Sequence, residues 1–373
     1  MQSETRSEIQ HNMQDNNIKT RGEFKFSYWK ILTPVIIGIG VVVWMMFRDT
    51  QSQDFSAAWQ SINFDLATIT FIILAWMCMI GRDFGLSWRF RALTDKQITW
   101  KQAIKVNCLC EFTSCVTPSA VGGSSFAIFY LNHEGINFGR ATTLVFSSIF
   151  LDELFFVVIC PIIYLFTPEG ELFKSDATMF SQGLELTFWC VYAAITAWTM
   201  ILLWGVVINP KGIQKATKFI FSIKYLRRWQ PQVESWTDNM SNTSKELKEK
   251  RLAWWFKAFC ATFLSWTSRF LTVCAIFAAF IPGCMPEQWL IFARQIIVWV
   301  VLIAVPTPGG SGVSEWLFTE FYASLIPSFE MALILAISWR IISYYIYLLI
   351  GATIIPKWIG ESYYRINKPT TKA

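Results

Sequence analysis

Glycines, prolines, serines and one carboxylate make up the run VPTPGGSGVSEW at residues 305–316, set between the apolar stretches IIVWVVLIA and LFTEFYASLI. An ionised side chain at a bilayer centre costs on the order of 2.5–3.5 kcal/mol even on the lenient insertion scale, so an acid there needs a partner, water or a task. Asp152, Glu153, Arg269, Arg294 and Arg340 also fall within apolar segments, while Glu111 and Arg140 lie nearer an interface. The sequence favours a pair between Glu315 and Arg340, and an arginine so placed can also hold a phosphate through two parallel bonds. A buried ion pair that only fixes helix register is the competing reading. Asp152 with Arg269 is an alternative pair that spacing alone does not decide.

The residues around Glu315 suggest anion binding. Gly309, Gly310 and Gly312 allow tight turning and close backbone approach. A helix starting after Ser311 would present free amides and the positive end of its dipole to whatever fills the adjacent space. Ser314, and Ser124 in the similar run at 116–126, would add hydroxyl donors. A lipid phosphate suits such a site; the plainer alternative is that glycine permits close helix packing and serine caps a helix.

A second run repeats the pattern. VTPSAVGGSSF at 116–126 aligns without gaps on PTPGGSGVSEW at 306–316, with Thr117/Thr307, Pro118/Pro308, Gly122/Gly312 and Ser124/Ser314 identical and Gly123 beside Gly122. After each run comes an apolar segment in which Ala and Ser recur six apart, Ala141 with Ser147 and Ala332 with Ser338.

Other chemistries fit poorly. Gly309-Gly310-Ser311-Gly312 matches the pattern around an intramembrane protease serine, but that nucleophile needs a base within hydrogen-bond reach. The two histidines, His11 and His133, lie in the N-terminal tail and in a connector. Cys108, Cys110 and Cys115 lack histidines at zinc-ligand spacing, so no metal site is expected. No GxxxxGK[ST] loop or DxD motif occurs. A non-enzymatic, cofactor-free role is expected.

The elements that must position these residues follow from composition. Of 373 residues, 54% are apolar and 16% charged, as in an all-α polytopic membrane protein. The net charge of +6 sits in connectors rather than on one soluble face, which argues against nucleic-acid binding. With about 20 apolar residues needed per spanning helix, six stretches qualify: 28–47, 66–86, 141–166, 185–208, 253–281 and 331–355. Two others, 106–131 and 289–326, are too short and too broken.

Lysines and arginines before residue 28, at 82–105, in the basic segment 209–252 and after residue 356 place those connectors in the cytoplasm, and the acidic connectors outside. The orientations close only if 106–131 and 289–326 are re-entrant hairpins entering from opposite faces, an inverted repeat. Residues 1–27 and 359–373 are then cytoplasmic tails. The segment KGIQKATKFIFSIKYLRRWQ reads as a positive-inside connector or as a cationic helix on the inner leaflet.

The stretch TPSAVGGSSFAIFYLNHEGINFGRATTLVFSSIFLDELFF, followed by VPTPGGSGVSEWLF and AISWRIISYYIYLLIG, resembles the flippase-like membrane domain of lysylphosphatidylglycerol synthases, over nearly all of 28–358. The resemblance implies movement of lipid between leaflets of the inner membrane, by a member lacking the soluble synthase domain. It carries substrate contacts over to Thr117, Pro118, Gly122 and Gly123, and to Pro308, Gly309, Gly310, Gly312, Glu315 and Arg340. The first motif departs from the family, with Ser124, Ser125, Phe126 and Ala127 where an acid and then an arginine are usual. The expected partners are membrane lipids; the alternative is a non-transporting protein that recruits a lipid-modifying enzyme through residues 209–252.

Overall fold

The computed structural model describes residues 60–117, 122–174, 178–204, 245–305 and 307–358, apart from 61, 63, 169, 352, 356 and 357. The expected span at 28–47, both tails and residues 209–244 of the basic segment lie outside these residues. Among them the chain forms helices and turns, with no strand. The helices are α1 (Leu66–Leu93), α2 (Trp100–Val116), α3 (Gly122–His133), α4 (Phe138–Phe166), α5 (Thr178–Leu202), α6 (Leu252–Phe280), α7 (Gln288–Ile303), α8 (Val313–Tyr322) and α9 (Phe329–Arg340). A π-helical turn, Ile341–Tyr345, continues α9.

Caps set where the helices start. The Asp65 carboxylate accepts from the Thr68 amide at 2.8 Å and opens α1, Thr99 and Gln102 form a capping box at α2, Asn137 opens α4, and Ser328 opens α9. Each cap satisfies a backbone donor that the helix itself leaves unpaired. Helix α2 ends at Thr117, which is extended at φ −97° and ψ 140°, as the residue before a proline must be.

Among the described residues six helices are long and apolar enough to cross a membrane: Leu66–Leu93, Phe138–Phe166, Met179–Leu202, Leu252–Phe280, Met285–Ile303 and Phe329–Ile355. The protein is a multi-pass membrane protein. One difference from expectation concerns Met285–Ile303, which is broken from α8 by the glycine run yet spans that length by itself. Helix α1 shows the arrangement a lipid solvent imposes. Ile73, Met77, Ile80 and Phe84 are exposed, whereas Thr68, Ala75, Arg82 and Arg89, spaced by seven, are buried.

Helix α1 packs along α6 more extensively than any other pair of described helices. Small residues permit it: a Cβ on Gly85 would lie 2.8 Å from the Ala261 carbonyl and 2.9 Å from Ser265, and one on Gly81 would lie 3.2 Å from the Ser268 hydroxyl. Such stripes let membrane helices approach backbone to backbone. The two helices run antiparallel. The Thr68 hydroxyl donates to the Ala279 carbonyl at one end, and Asp95 accepts from Lys250 and Trp254 at the other.

Both broken segments fold back on themselves. Lys105 near the start of α2 faces Glu134 just beyond α3 at 3.7 Å, and Asp95 before α2 accepts from Arg140 at the start of α4. The α2–α3 hairpin thus has its open end where α1 finishes. In the other segment, the Tyr322 hydroxyl at the end of α8 donates to the Ile291 carbonyl near the start of α7. That open end lies where α6 finishes, at the far end of the α1–α6 pair.

Candidate functional site

The end of α2 and the glycine run meet at Tyr344, on the π turn after α9. Its hydroxyl donates to the Cys115 carbonyl in the last turn of α2 and accepts from the Ser311 hydroxyl in the glycine run, both at 3.1 Å. Gly309 has φ +58°, and a Cβ there would collide with the Tyr344 ring. Only glycine combines that backbone with that contact.

Arg340, one residue before the π turn, holds the glycine run in place. Nε donates to Glu315 Oε1 at 2.9 Å, Nη1 to the Gly309 carbonyl at 3.2 Å and Nη2 to the Ser311 hydroxyl at 3.1 Å. The guanidinium lies 3.8 Å from the Tyr344 ring centroid. The second Glu315 oxygen accepts from the Gly312 amide and the Ser314 hydroxyl, each at 2.7 Å. Two expectations are corrected here. The Gly312 amide is taken by Glu315 of its own helix, so it is not left free for a ligand. Ser314 is buried and donates to that same carboxylate, so it is not a hydroxyl facing a cavity.

Behind this clamp lies a cavity of about 190 Å³, well beyond the ~10–15 Å³ that a single water requires. Its lining includes Arg89, Glu111, Asp152, Arg269 and Arg340 among aromatic groups such as Trp266, Trp299 and Trp339, with Ser114 from the last turn of α2 and Thr307 from the second break. Two networks form its charged walls. In one, Arg82 bridges Asp83 and Glu111, Asp83 accepts from Asn107 and the Tyr347 hydroxyl, and Arg269 reaches Glu111 at 3.5 Å. In the other, Arg89 binds Asp152 and the Thr262 hydroxyl, and the Trp266 indole donates to Asp152 at 2.7 Å.

Several partners expected from the sequence therefore change. Asp152 pairs with Arg89 and not with Arg269, whose acidic neighbour is Glu111. Glu153, half-buried on α4, has an Oε2 atom with no hydrogen-bond partner among the described residues. Arg294 sits away from the cavity: it is fully buried and binds the carbonyls of Phe321, Glu171 and Lys174 and the Ser324 hydroxyl. It ties the connector after α4 to the end of α8. Arg82 and Arg89, counted from sequence as connector charges, belong to α1 and point inward.

Within the first motif, Thr117 hydrogen-bonds back to the Thr113 carbonyl. Gly123 lets α3 approach α2, since a Cβ there would strike the Cys110 carbonyl and the Ser114 hydroxyl. Gly122 starts α3, Pro118 falls outside the described residues, and so does the side chain of Ser124. Pro308 opens a single 3-10 turn ending at Gly310, while Gly309 and Gly310 line the cavity.

Arg82, Asp83, Arg89, Trp266, Trp299 and Tyr344 were not singled out from sequence. A signal was present for two of them: Arg82 and Arg89 continue the seven-residue spacing of Thr68 and Ala75, which puts all four on one helix face.

A family model described as the lysylphosphatidylglycerol synthase TM region matches residues 31–351. A UPF0104 membrane protein of Archaeoglobus fulgidus is 20% identical over 331 residues, which cover 85% of this chain and 94% of that protein.

Proposed function

We propose, from the premise that this chain belongs to the family of lysylphosphatidylglycerol synthase TM regions, that it moves a phospholipid or other anionic or zwitterionic lipid headgroup between leaflets. The observation that carries this reading is the cavity: arginines from α1, α6 and α9 line it together with α2, Ala127 of α3 and the glycine run. Charged and polar groups at that depth are costly unless they serve one another or a passing ligand. Non-helical backbone is tolerated at membrane depth only where protein or a watery cavity encloses it.

On this reading the α2–α3 and α7–α8 hairpins re-enter the inner membrane from opposite faces and meet at Tyr344, with both termini cytoplasmic. Exposure of the cavity to one side and then the other would carry a headgroup across while its acyl chains stay in lipid. Binding is favoured over covalent chemistry because Ser311 is held between Tyr344 and Arg340, with no general base beside it among the described residues.

The test is headgroup translocation in proteoliposomes, with a fluorescent phosphatidylglycerol quenched by a membrane-impermeant reductant. Wild-type protein is expected to expose lipid from both leaflets to the quencher. Quenching no greater than in protein-free vesicles would overturn the proposal and favour a protein that recruits a lipid-modifying enzyme.

A further inference from the structure

The arginines that line the cavity, and Arg82 next to them, differ in how closely a carboxylate holds them. All three nitrogens of Arg340 are engaged, Arg89 lies on Asp152 and Thr262, and Arg82 is sealed between Asp83 and Glu111. The single polar contact of Arg269 among the described residues is 3.5 Å from Nη2 to Glu111, a carboxylate that Arg82 approaches more closely. Its side chain keeps 16% of its surface exposed, and it lines the cavity.

Two indoles fix its orientation. The Arg269 guanidinium carbon lies 5.1 Å from the Trp266 ring centroid and 4.5 Å from that of Trp299, and the two rings are 5.1 Å apart. These distances make a nearly equilateral triangle, so both indoles sit on one side of the guanidinium. A guanidinium packed on aromatic rings keeps its charge, is weakly hydrated and presents a rigid fork suited to a tetrahedral oxyanion. Trp266 is itself anchored by Asp152, so the corner is held from behind.

We propose that Arg269, set in the Trp266–Trp299 corner, is the anion-binding residue of the cavity and that its ligand is a phosphate-type oxyanion. Arg340 is then a positioning residue that shapes the glycine run. The proposal rests on the headgroup reading above, and it names the atom group that would grip the headgroup.

Purified full-length protein is treated with phenylglyoxal, which modifies accessible guanidinium groups, and the modified arginines are located by peptide mass spectrometry. Arg269 is expected to react faster than Arg82, Arg89 and Arg340, and short-chain phosphatidylglycerol is expected to slow its modification by about tenfold, in line with charge-assisted bidentate bonds. Protection by the lipid alone identifies a headgroup; equal protection by inorganic phosphate identifies a soluble anion. Arg269→Lys keeps the charge but loses the fork, and should weaken protection of the remaining cavity arginines. An inert Arg269, or equal labelling with phosphatidylglycerol and with phosphate-free diacylglycerol, would overturn the site, and this labelling of the wild type decides the matter even where the variant fails to fold. Protection without translocation would sink the transport reading alone. Undiminished translocation by Arg269→Lys would sink the Arg269 site alone.

Discussion

Arg340 donates from Nε to Glu315 across 2.9 Å, and the two side chains keep only 6% and 1% of their surface exposed. One oxygen of Glu315 meets this arginine while the other caps its own helix at Gly312. The pair therefore couples α9 to the start of α8. Removing one partner of a buried pair strands the other charge, at about 3–5 kcal/mol. Glu315→Gln and Arg340→Ala should each lower the melting temperature in detergent and abolish translocation. A double Glu315→Leu, Arg340→Met variant should regain part of the stability and remain inactive, because the clamp on Gly309 and Ser311 is gone.

Gly309 and Gly310 both adopt positive φ, +58° and +70°, but only Gly309 faces a ring. Alanine at Gly310 meets nothing closer than 3.6 Å, so its cost is the left-handed backbone alone, about 1–2 kcal/mol. Alanine at Gly309 must also displace Tyr344. Thermal unfolding should rank Gly309→Ala well below Gly310→Ala, and equal melting temperatures would contradict the contact.

Tyr344→Phe removes the hydroxyl that joins Cys115 to Ser311 and keeps the ring beneath Arg340. Leaving buried polar groups unpaired costs about 1–3 kcal/mol. The variant should fold and insert, show a lower melting temperature, and move lipid more slowly, since the end of α2 and the glycine run lose their shared bond. Unaltered stability and rate would reduce Tyr344 to a packing residue.

Asp152 and Glu153 are neighbours in sequence with different surroundings. Asp152 answers Arg89 and the Trp266 indole, whereas Glu153 has no ion-pair partner among the described residues. Asp152→Asn should therefore lower both stability and activity, while Glu153→Gln should be close to wild type in a melting curve. The reverse order would show the assignment of the Arg89 partner to be wrong.

The breaks, the helical class and the Glu315–Arg340 pair were legible in the sequence, because proline–glycine runs and lone charges stand out against apolar surroundings. Arg82 and Arg89 were misplaced for a physical reason. Charges near the end of an apolar run resemble a positive-inside connector, and only the continuation of α1 to Leu93 turns them inward. Tyr344 was illegible because its role depends on a contact with Cys115, distant in the chain. The partner of Asp152 was equally hidden: Arg89, Arg269 and Asp152 lie on three helices whose rotation no spacing rule fixes.

Lipid transport through this cavity requires that the two hairpins open toward opposite faces of the membrane and meet at Tyr344. Single cysteines replacing Lys101, exposed at the start of α2, and Met285, exposed just before α7, report those open ends when placed in a cysteine-free background. With a membrane-impermeant maleimide on intact cells and on inverted vesicles, Met285→Cys should label only from outside and Lys101→Cys only from the cytoplasmic face. Labelling of both from the same compartment would contradict the opposed hairpins and the transport reading built on them.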